Sequence, residues 1–334
     1  MHEPPWRTTM RIAVIGAGAM GSLFGGLLAT HPDNDVWLVD PWIEHISTIK
    51  EEGLTLITHE GEPLLLRVNA TTDPDEVRDH GGLVDMALIF VKSYATARAA
   101  RQAARILAPD GLVLTLQNGL GNREAIAEVV GEARVVQGVT SHGASVLGPG
   151  RVRHAGTGET FLSPPTPEMR PRVEAIADMF AQVGIDTRVI DDLQTLLWSK
   201  LIVNVGINAL TAILRVHNGV LTRYDICREM VARAVDEAVA VANALGIQLP
   251  YDEPVRHVLD VAWRTGANRS SMLTDILRGT PTEIDAINGV VVREGDRLGI
   301  PTPFNEALVL LIKGLEATAD ERIEETLPYK PTML

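Results

Sequence analysis

The 334-residue chain holds a single cysteine, Cys227. That excludes a disulfide within the chain and suits a reducing compartment, so a cytoplasmic location is expected. Base is scarcer than acid. The 30 Lys and Arg stand against 43 Asp and Glu, for a net charge of −13. Neither nucleic acid nor an anionic membrane is then expected as a general partner, although a locally basic pocket stays compatible with that balance. His and Cys nowhere cluster at metal-ligand spacing, so no metal site is expected. The apolar run Leu201–Leu214 is interrupted by Asn204 and Asn208, which argues against a membrane span. The first nine residues, MHEPPWRTT, lack a signal peptide's apolar centre and read as a disordered lead-in. Internal repeats and low-complexity tracts are also missing. What remains is 46% apolar and 22% charged, an ordinary globular composition. The length exceeds a comfortable single core, which favours two domains.

The stretch that organises the chain is Trp198–Ala212, WSKLIVNVGINALTA. Lys200, Asn204, Asn208 and Thr211 recur at spacings of four, four and three. On a helix they fall within an arc of roughly 80°. Leu201, Ile202, Val205, Ile207, Leu210, Ile213 and Leu214 cover the rest, which is the pattern of a buried helix. A buried stripe of ammonium and amides needs something polar against it. That is either a satisfied core network or a site where Lys200 donates a proton and the amides hold a substrate.

The first half alternates strands with helices. Arg11–Ile15 is a strand, Gly16-Ala17-Gly18-Ala19-Met20-Gly21 follows, and a helix runs to about Ala29. A GxGxxG placed between strand and helix is a dinucleotide-binding signal. Gly16 permits the tight turn, Gly18 a close approach of pyrophosphate, and Gly21 close helix packing. Val36–Asp40 is the second strand, ending in an acid 19 residues after Gly21, where a ribose-binding carboxylate belongs. Asp40-Pro41 also has the form of a helix N-cap with Pro at the first position. Leu54–Ile57 and Leu64–Val68 read as a hairpin around Gly61. Leu83–Val91 ends at Lys92, Leu112–Leu116 at Gln117-Asn118-Gly119, and Val135–Thr140 at Ser141-His142-Gly143-Ala144. In an open α/β sheet these strand ends share the ligand edge, which makes Lys92 and Asn118 candidates. His142 reads as a lone structural histidine. Strands around Arg151–His154 and Glu159–Leu162, a helix at Pro171–Val183 and a strand at Asp186–Val189 complete this half.

From Asp192 onward the strand signals stop. Helices are expected at 192–213, 222–245, 252–263, 270–277, 281–298 and 303–318, followed by a frayed tail after Asp320. Thr280-Pro281-Thr282-Glu283 has the form of a capping box. Ser271 and Asp275 share one helical face. The fold expected is α/β: a Rossmann-type domain over 10–190, then an all-α domain over 191–328.

GAGAMG at 16–21, VKS at 91–93, QNG at 117–119, TSH at 140–142, LWSKLIVNVGINALTA at 197–212, NRSSMLTD at 268–275 and TEID at 282–285 together resemble the ketopantoate reductase (2-dehydropantoate 2-reductase) family over nearly the full chain. The resemblance implies NADPH-linked reduction of ketopantoate to pantoate, on the way to pantothenate and coenzyme A. It makes Lys200 the proton donor and puts Asn118, Asn204, Asn208, Asn218 and Ser271 on the substrate. It puts Asn118, Ala144 and Glu283 with Gly16, Ala17, Gly18, Ala19, Met20 and Gly21 on the cofactor, with Lys92 close by. Two positions depart from the family habit. Ala209 stands where Pro often follows the second helix Asn. Asp40 stands where NADPH-using members tend to carry a base, and it points to NADH instead. The partner expected is a small 2-keto acid, and the long apolar helices suit a homodimer. The alternatives are a related 2-keto or 3-hydroxy acid reductase with another side-chain pocket, and a non-catalytic dinucleotide-binding regulator.

Overall fold

The computed structural model describes residues 10–322. The lead-in expected at 1–9, and the tail expected after Asp320 from residue 323 on, lie outside the described residues. The chain forms two compact units that divide between Leu197 and Trp198.

In the first unit, β1 (Met10–Ile15), α1 (Ala19–Leu28), β2 (Asn34–Val39) and α2 (Ile43–Glu52) come first. The hairpin β3 (Leu54–Ile57) and β4 (Pro63–Leu66) follows, then β5 (Asn69–Thr71), α3 (Pro74–Asp79), β6 (Val84–Ile89), α4 (Thr96–Ile106) and β7 (Leu107–Thr115). The unit continues through α5 (Asn122–Val130), β8 (Val135–Thr140), β9 (Gly143–Gly148), β10 (Arg151–Gly156), β11 (Thr160–Ser163), α6 (Arg170–Gln182) and β12 (Thr187–Val189). Eight strands form one sheet in the order β12-β11-β8-β7-β6-β1-β2-β5. β1 pairs in parallel with both β2 and β6, so the strand order switches direction at β1.

Successive residues of β1 point to opposite faces, and both faces are covered. Ile12 and Val14 join a cluster with Leu23, Phe24 and Leu28 of α1 and Val173, Ile176 and Phe180 of α6. Ala13 and Ile15 join another with Ala99, Ala100, Ala103 and Ile106 of α4 and Ile126 of α5. Burial on both faces explains why these strands are apolar runs without alternation.

The remaining strands form a second sheet, β4-β3-β10-β9. The hairpin turns through Gly61 at φ +96°, as its sequence suggests. β10 pairs in parallel with β3, about a hundred residues earlier. Gly143-Ala144, read from sequence as loop, begins β9. β5 has no strong apolar signal and was not expected.

The second unit is helical: α7 (Gln194–Leu214), whose first turn precedes the division, then α8 (Asp225–Ala244), α9 (Pro254–Arg264), α10 (Ser271–Arg278), α11 (Asn288–Leu298) and α12 (Pro303–Ala317). Short 3₁₀ turns lie at 218–222, 284–286 and 319–321. As a whole helix, the 21 residues of α7 are long and apolar enough to cross a membrane, despite Asn204 and Asn208. Yet 67% of that stretch is buried within the protein, which marks a core helix. Gly206 makes this packing close. A Cβ there would stand 2.7 Å from Val258 of α9 and 2.8 Å from Val235 of α8.

Two capping expectations are corrected. Helix α2 starts at Ile43 with Trp42 as its N-cap, so Asp40-Pro41 is not its cap. The capping box at Thr280 does not form either. Thr280 closes the preceding helix, with its N–H donating to the Asp275 carbonyl at 3.0 Å. The next full helix begins only at Asn288, so the helix expected over 281–298 is a 3₁₀ turn followed by α11.

Candidate active site

In the first unit, β1, β2, β6, β7 and β8 run parallel, so their carboxyl ends share one edge. The loops carrying Gly16–Gly21, Asp40, Lys92, Asn118 and His142 all leave from that edge. It is where ligands bind in open parallel sheets, next to the strand at which the order switches.

Two of the three glycines are required by the fold, and the third is not. Gly16 has φ +97°, and a Cβ there would stand 2.7 Å from the Val91 nitrogen. A Cβ on Gly21 would stand 1.8 Å from the Gly16 carbonyl oxygen, so only glycine lets α1 start this close to β1. A Cβ on Gly18 would meet nothing within 4 Å. The chain does not need glycine there for its own packing; the open space suits a ligand's approach to the backbone. Gly18 is also the N-cap of α1, where backbone N–H groups and the helix dipole favour an anion.

Asp40 stands beside this loop. Its Oδ2 accepts from the Ala17 N–H at 2.8 Å and its Oδ1 from the Trp42 N–H at 3.0 Å. The carboxylate is thus turned toward the glycine loop. Each oxygen keeps a further lone pair, so the carboxylate can still accept from hydroxyl donors.

Lys92 is half-buried at the end of β6 and precedes a 3₁₀ turn. Asn118 is held by a network absent from the sequence reading. Gln117 Nε2 donates to the Val91 carbonyl at 2.7 Å and to Thr96 Oγ1 at 2.8 Å. Thr96 Oγ1 donates to Asn122 Oδ1 at 2.9 Å, and Asn122 Nδ2 donates to the Asn118 carbonyl at 3.0 Å. The VKS and QNG loops are therefore tied together. His142 is not lone: its Nδ1 lies 2.9 Å from His154 Nε2, and the two rings stack. Burial holds both histidines below the ordinary imidazole pKa. Ala144 lies in β9 opposite His154.

In the second unit, Lys200, Asn204, Asn208 and Thr211 run along α7 as their spacing implies. Asn208 is buried, and Lys200 and Asn204 are half-buried. Desolvation pulls the Lys200 ammonium down to about 8, while the negative charge of Glu283 opposes that shift. Glu283 is itself buried. It precedes a 3₁₀ turn, and the N–H of Ile284 goes to the Thr282 hydroxyl at 3.2 Å. Sequence spacing marked Glu283 but gave no sign that its charge acts on Lys200.

Lower on the stripe, Thr211 Oγ1 meets Ser270 Oγ at 2.8 Å, and Ser270 accepts from the Leu273 N–H at 3.0 Å. Ser270 is therefore the N-cap of α10, and Ser271 is its first helical residue, exposed. Asn218 is buried; its Nδ2 donates to Thr265 Oγ1 at 3.0 Å. Its Oδ1 is buried without a hydrogen-bond partner, which leaves one acceptor available. Among the described residues, no group of three or more His, Cys, Asp or Glu is arranged to hold a metal.

Each unit thus carries part of what a reductase needs: an open glycine loop at a helix start in one, a desolvated ammonium with two amides in the other. A family model described as ketopantoate reductase PanE/ApbA matches residues 12–167, and its C-terminal counterpart matches 192–316. The chain is 39% identical to a 2-dehydropantoate 2-reductase of Halobacterium salinarum, across 91% of this chain and 98% of that one. A ketopantoate reductase family structure from Ralstonia eutropha superposes with a TM-score of 0.84 at 35% identity, covering 93% of this chain and 100% of the other. The ternary structure of a D-mandelate dehydrogenase with NADH and anilino(oxo)acetate superposes with a TM-score of 0.85 at 30% identity and the same coverage. With matching models in both halves and relatives aligned nearly end to end, the chain belongs to the ketopantoate reductase family of dinucleotide-dependent oxidoreductases.

Proposed function

We propose that this protein reduces 2-dehydropantoate to pantoate and that it uses NADH at least as well as NADPH. The observation that carries the reaction is the Lys200 ammonium, desolvated, faced by the charge of Glu283 and followed by two amides on the same helical stripe. The open cradle at Gly18 and the capped helix start fit a dinucleotide pyrophosphate. When bound, the reduced nicotinamide supplies the hydride.

The residues do the rest. With its pKa lowered to about 8, Lys200 is mostly protonated at pH 7. It stabilises negative charge developing on the ketone oxygen and gives up its proton at Nζ. Glu283 keeps Lys200 charged against the cost of its desolvation. Asn204 and Asn208 orient the ammonium and hydrogen-bond the substrate. Asn218 offers its unpartnered Oδ1 to the substrate hydroxyl. Ser271, in the first turn of α10, receives the carboxylate together with the helix dipole. The Gly16–Gly21 loop holds the pyrophosphate, and Lys92, Asn118 and Ala144 line the nicotinamide side.

Support for NADH comes from Asp40. Its carboxylate faces the glycine loop, and the first Lys or Arg after it is Lys50. A 2′-phosphate would bring about −1.5 to −2 charges against it. The D-mandelate dehydrogenase at similar identity was solved with NADH. Steady-state assays with ketopantoate and each cofactor test both claims. A wild-type preference for NADPH that Asp40→Asn leaves unchanged overturns the cofactor claim.

The same neighbour favours one second reading: a related 2-keto acid with a bulkier side chain. A kcat/KM for phenylglyoxylate above that for ketopantoate would establish it.

A further inference from the structure

His45 belongs to none of the motifs, yet it is fully buried behind the glycine loop. It lies on α2, and Trp42 stacks on it, with ring centroids 4.8 Å apart and planes at 10°. Its hydrogen bonds define its tautomer. The Gly150 N–H donates to Nδ1 at 3.0 Å, so Nδ1 carries no proton. The proton is therefore on Nε2, which lies 3.1 Å from Ser22 Oγ and donates to it. Ser22 Oγ in turn donates to the Ala17 carbonyl at 2.7 Å. On the other side, the Ala17 N–H donates to Asp40 at 2.8 Å. Both backbone polar groups of Ala17 are thus held, the N–H by Asp40 and the carbonyl by Ser22, which His45 backs while also interacting with the Ala17 backbone itself.

The donor to His45 is itself placed by necessity. Gly150 sits in the turn between β9 and β10 at φ +64°, and a Cβ there would stand 2.5 Å from Thr48 Cγ2. The small sheet therefore reaches the glycine loop through one backbone N–H and one imidazole.

We propose that His45 is a positioning residue for the dinucleotide: by holding Ser22 and, through it, the Ala17 carbonyl, it keeps the Gly16–Gly21 loop in its binding conformation before the cofactor arrives. A loop already ordered loses less entropy on binding, so this arrangement acts on cofactor affinity. The inference rests on the glycine loop being the dinucleotide site.

The test is NADH titration and steady-state kinetics on the full chain. His45→Leu removes the donor to Ser22. Ser22→Ala removes the donor to Ala17 with little change in volume. Each should weaken NADH binding roughly five- to tenfold, about one hydrogen bond's worth, with the loss in cofactor KM and not in kcat. His45→Gln retains an N–H donor toward Ser22 and should bind within about threefold of the wild type. A merely structural role would lower Tm in the variants without this split or this rescue. NADH affinity within twofold of wild type in Ser22→Ala overturns the proposal, even if His45→Leu fails to fold. So does a folded His45→Gln as weak as His45→Leu. Gly18→Val separates the two claims. If it leaves NADH binding intact, the loop is not the dinucleotide site and both fall. If it abolishes binding while Ser22→Ala does not weaken it, only the role of His45 falls.

Discussion

At the residue scale, Lys200 is the proposed proton donor. Its replacement by Ala should lower turnover by roughly 10² to 10⁴ and leave NADH binding in place, as for loss of a general acid. Near wild-type turnover in Lys200→Ala would end its role as proton donor. The pH profile follows from the direction of its shift. As the proposed proton donor Lys200 must be protonated, so kcat/KM for keto-acid reduction should hold below pH 8 and fall above it. Glu283 raises that pKa, so Glu283→Gln should move the falling limb to lower pH. A limb that stays in place in this variant would assign Glu283 to another task. The same variant answers a question left open by the sequence. A capping-box Glu tolerates Gln, but no capping box forms at Thr280, so a change in Glu283→Gln is a change at the site.

Glycine positions dominate at the scale of elements. Gly206 lies inside α7, where Ala would ordinarily favour the helix by about 1 kcal/mol. Here an added Cβ would come within 2.8 Å of Val258 and Val235, so α8 and α9 would have to move. Gly206→Ala should therefore destabilise the protein despite the propensity gain, by about 1–3 kcal/mol for overpacking. Thermal or urea unfolding reads this directly, and an unchanged or raised Tm would refute the close-packing argument. Gly18→Ala in the cradle adds a Cβ that meets no protein atom within 4 Å, so Tm should hold while cofactor KM rises. The pair separates a glycine needed by the fold from one suited to a ligand.

The whole molecule should be acid-sensitive through buried imidazoles. His45, His142 and His154 are all held below the ordinary histidine pKa, with desolvation the largest cause in each. As pH falls through about 6.5 the unfolded chain takes up these protons while the folded chain does not. Stability therefore drops on acidification and is recovered as pH rises back through that window. Each group contributes at most about 1.4 kcal/mol per pH unit. Tm should fall by on the order of 5 °C between pH 7 and pH 5.5. His142→Gln combined with His154→Gln, which keeps hydrogen-bonding groups but removes two titrations, should flatten that slope. An equal slope in the double variant would assign the acid sensitivity elsewhere.

Some of this was legible in the residues alone because the cause is local. A strand, GAGAMG and a helix follow one another within twenty residues, and the glycines answer to steric limits a few bonds long. The polar stripe of α7 follows from helical periodicity, and for the same reason the helix ends came within a few residues, the start of α11 excepted. Local pattern misled where another partner competed for the same group. Thr280 has the form of a cap, but its N–H goes back to Asp275. Asp40 also has the form of a cap, but its oxygens go to Ala17 and Trp42, and α2 starts later. Other features had no local signal. The pairing of β3 with β10, the His142–His154 contact, the action of Glu283 on Lys200 and the His45–Ser22–Ala17 chain each join residues far apart in sequence or on different elements. Residue order sets which groups exist and how they repeat. Only packing decides which buried donor meets which acceptor, because leaving either one unpaired costs more than the local alternative gains.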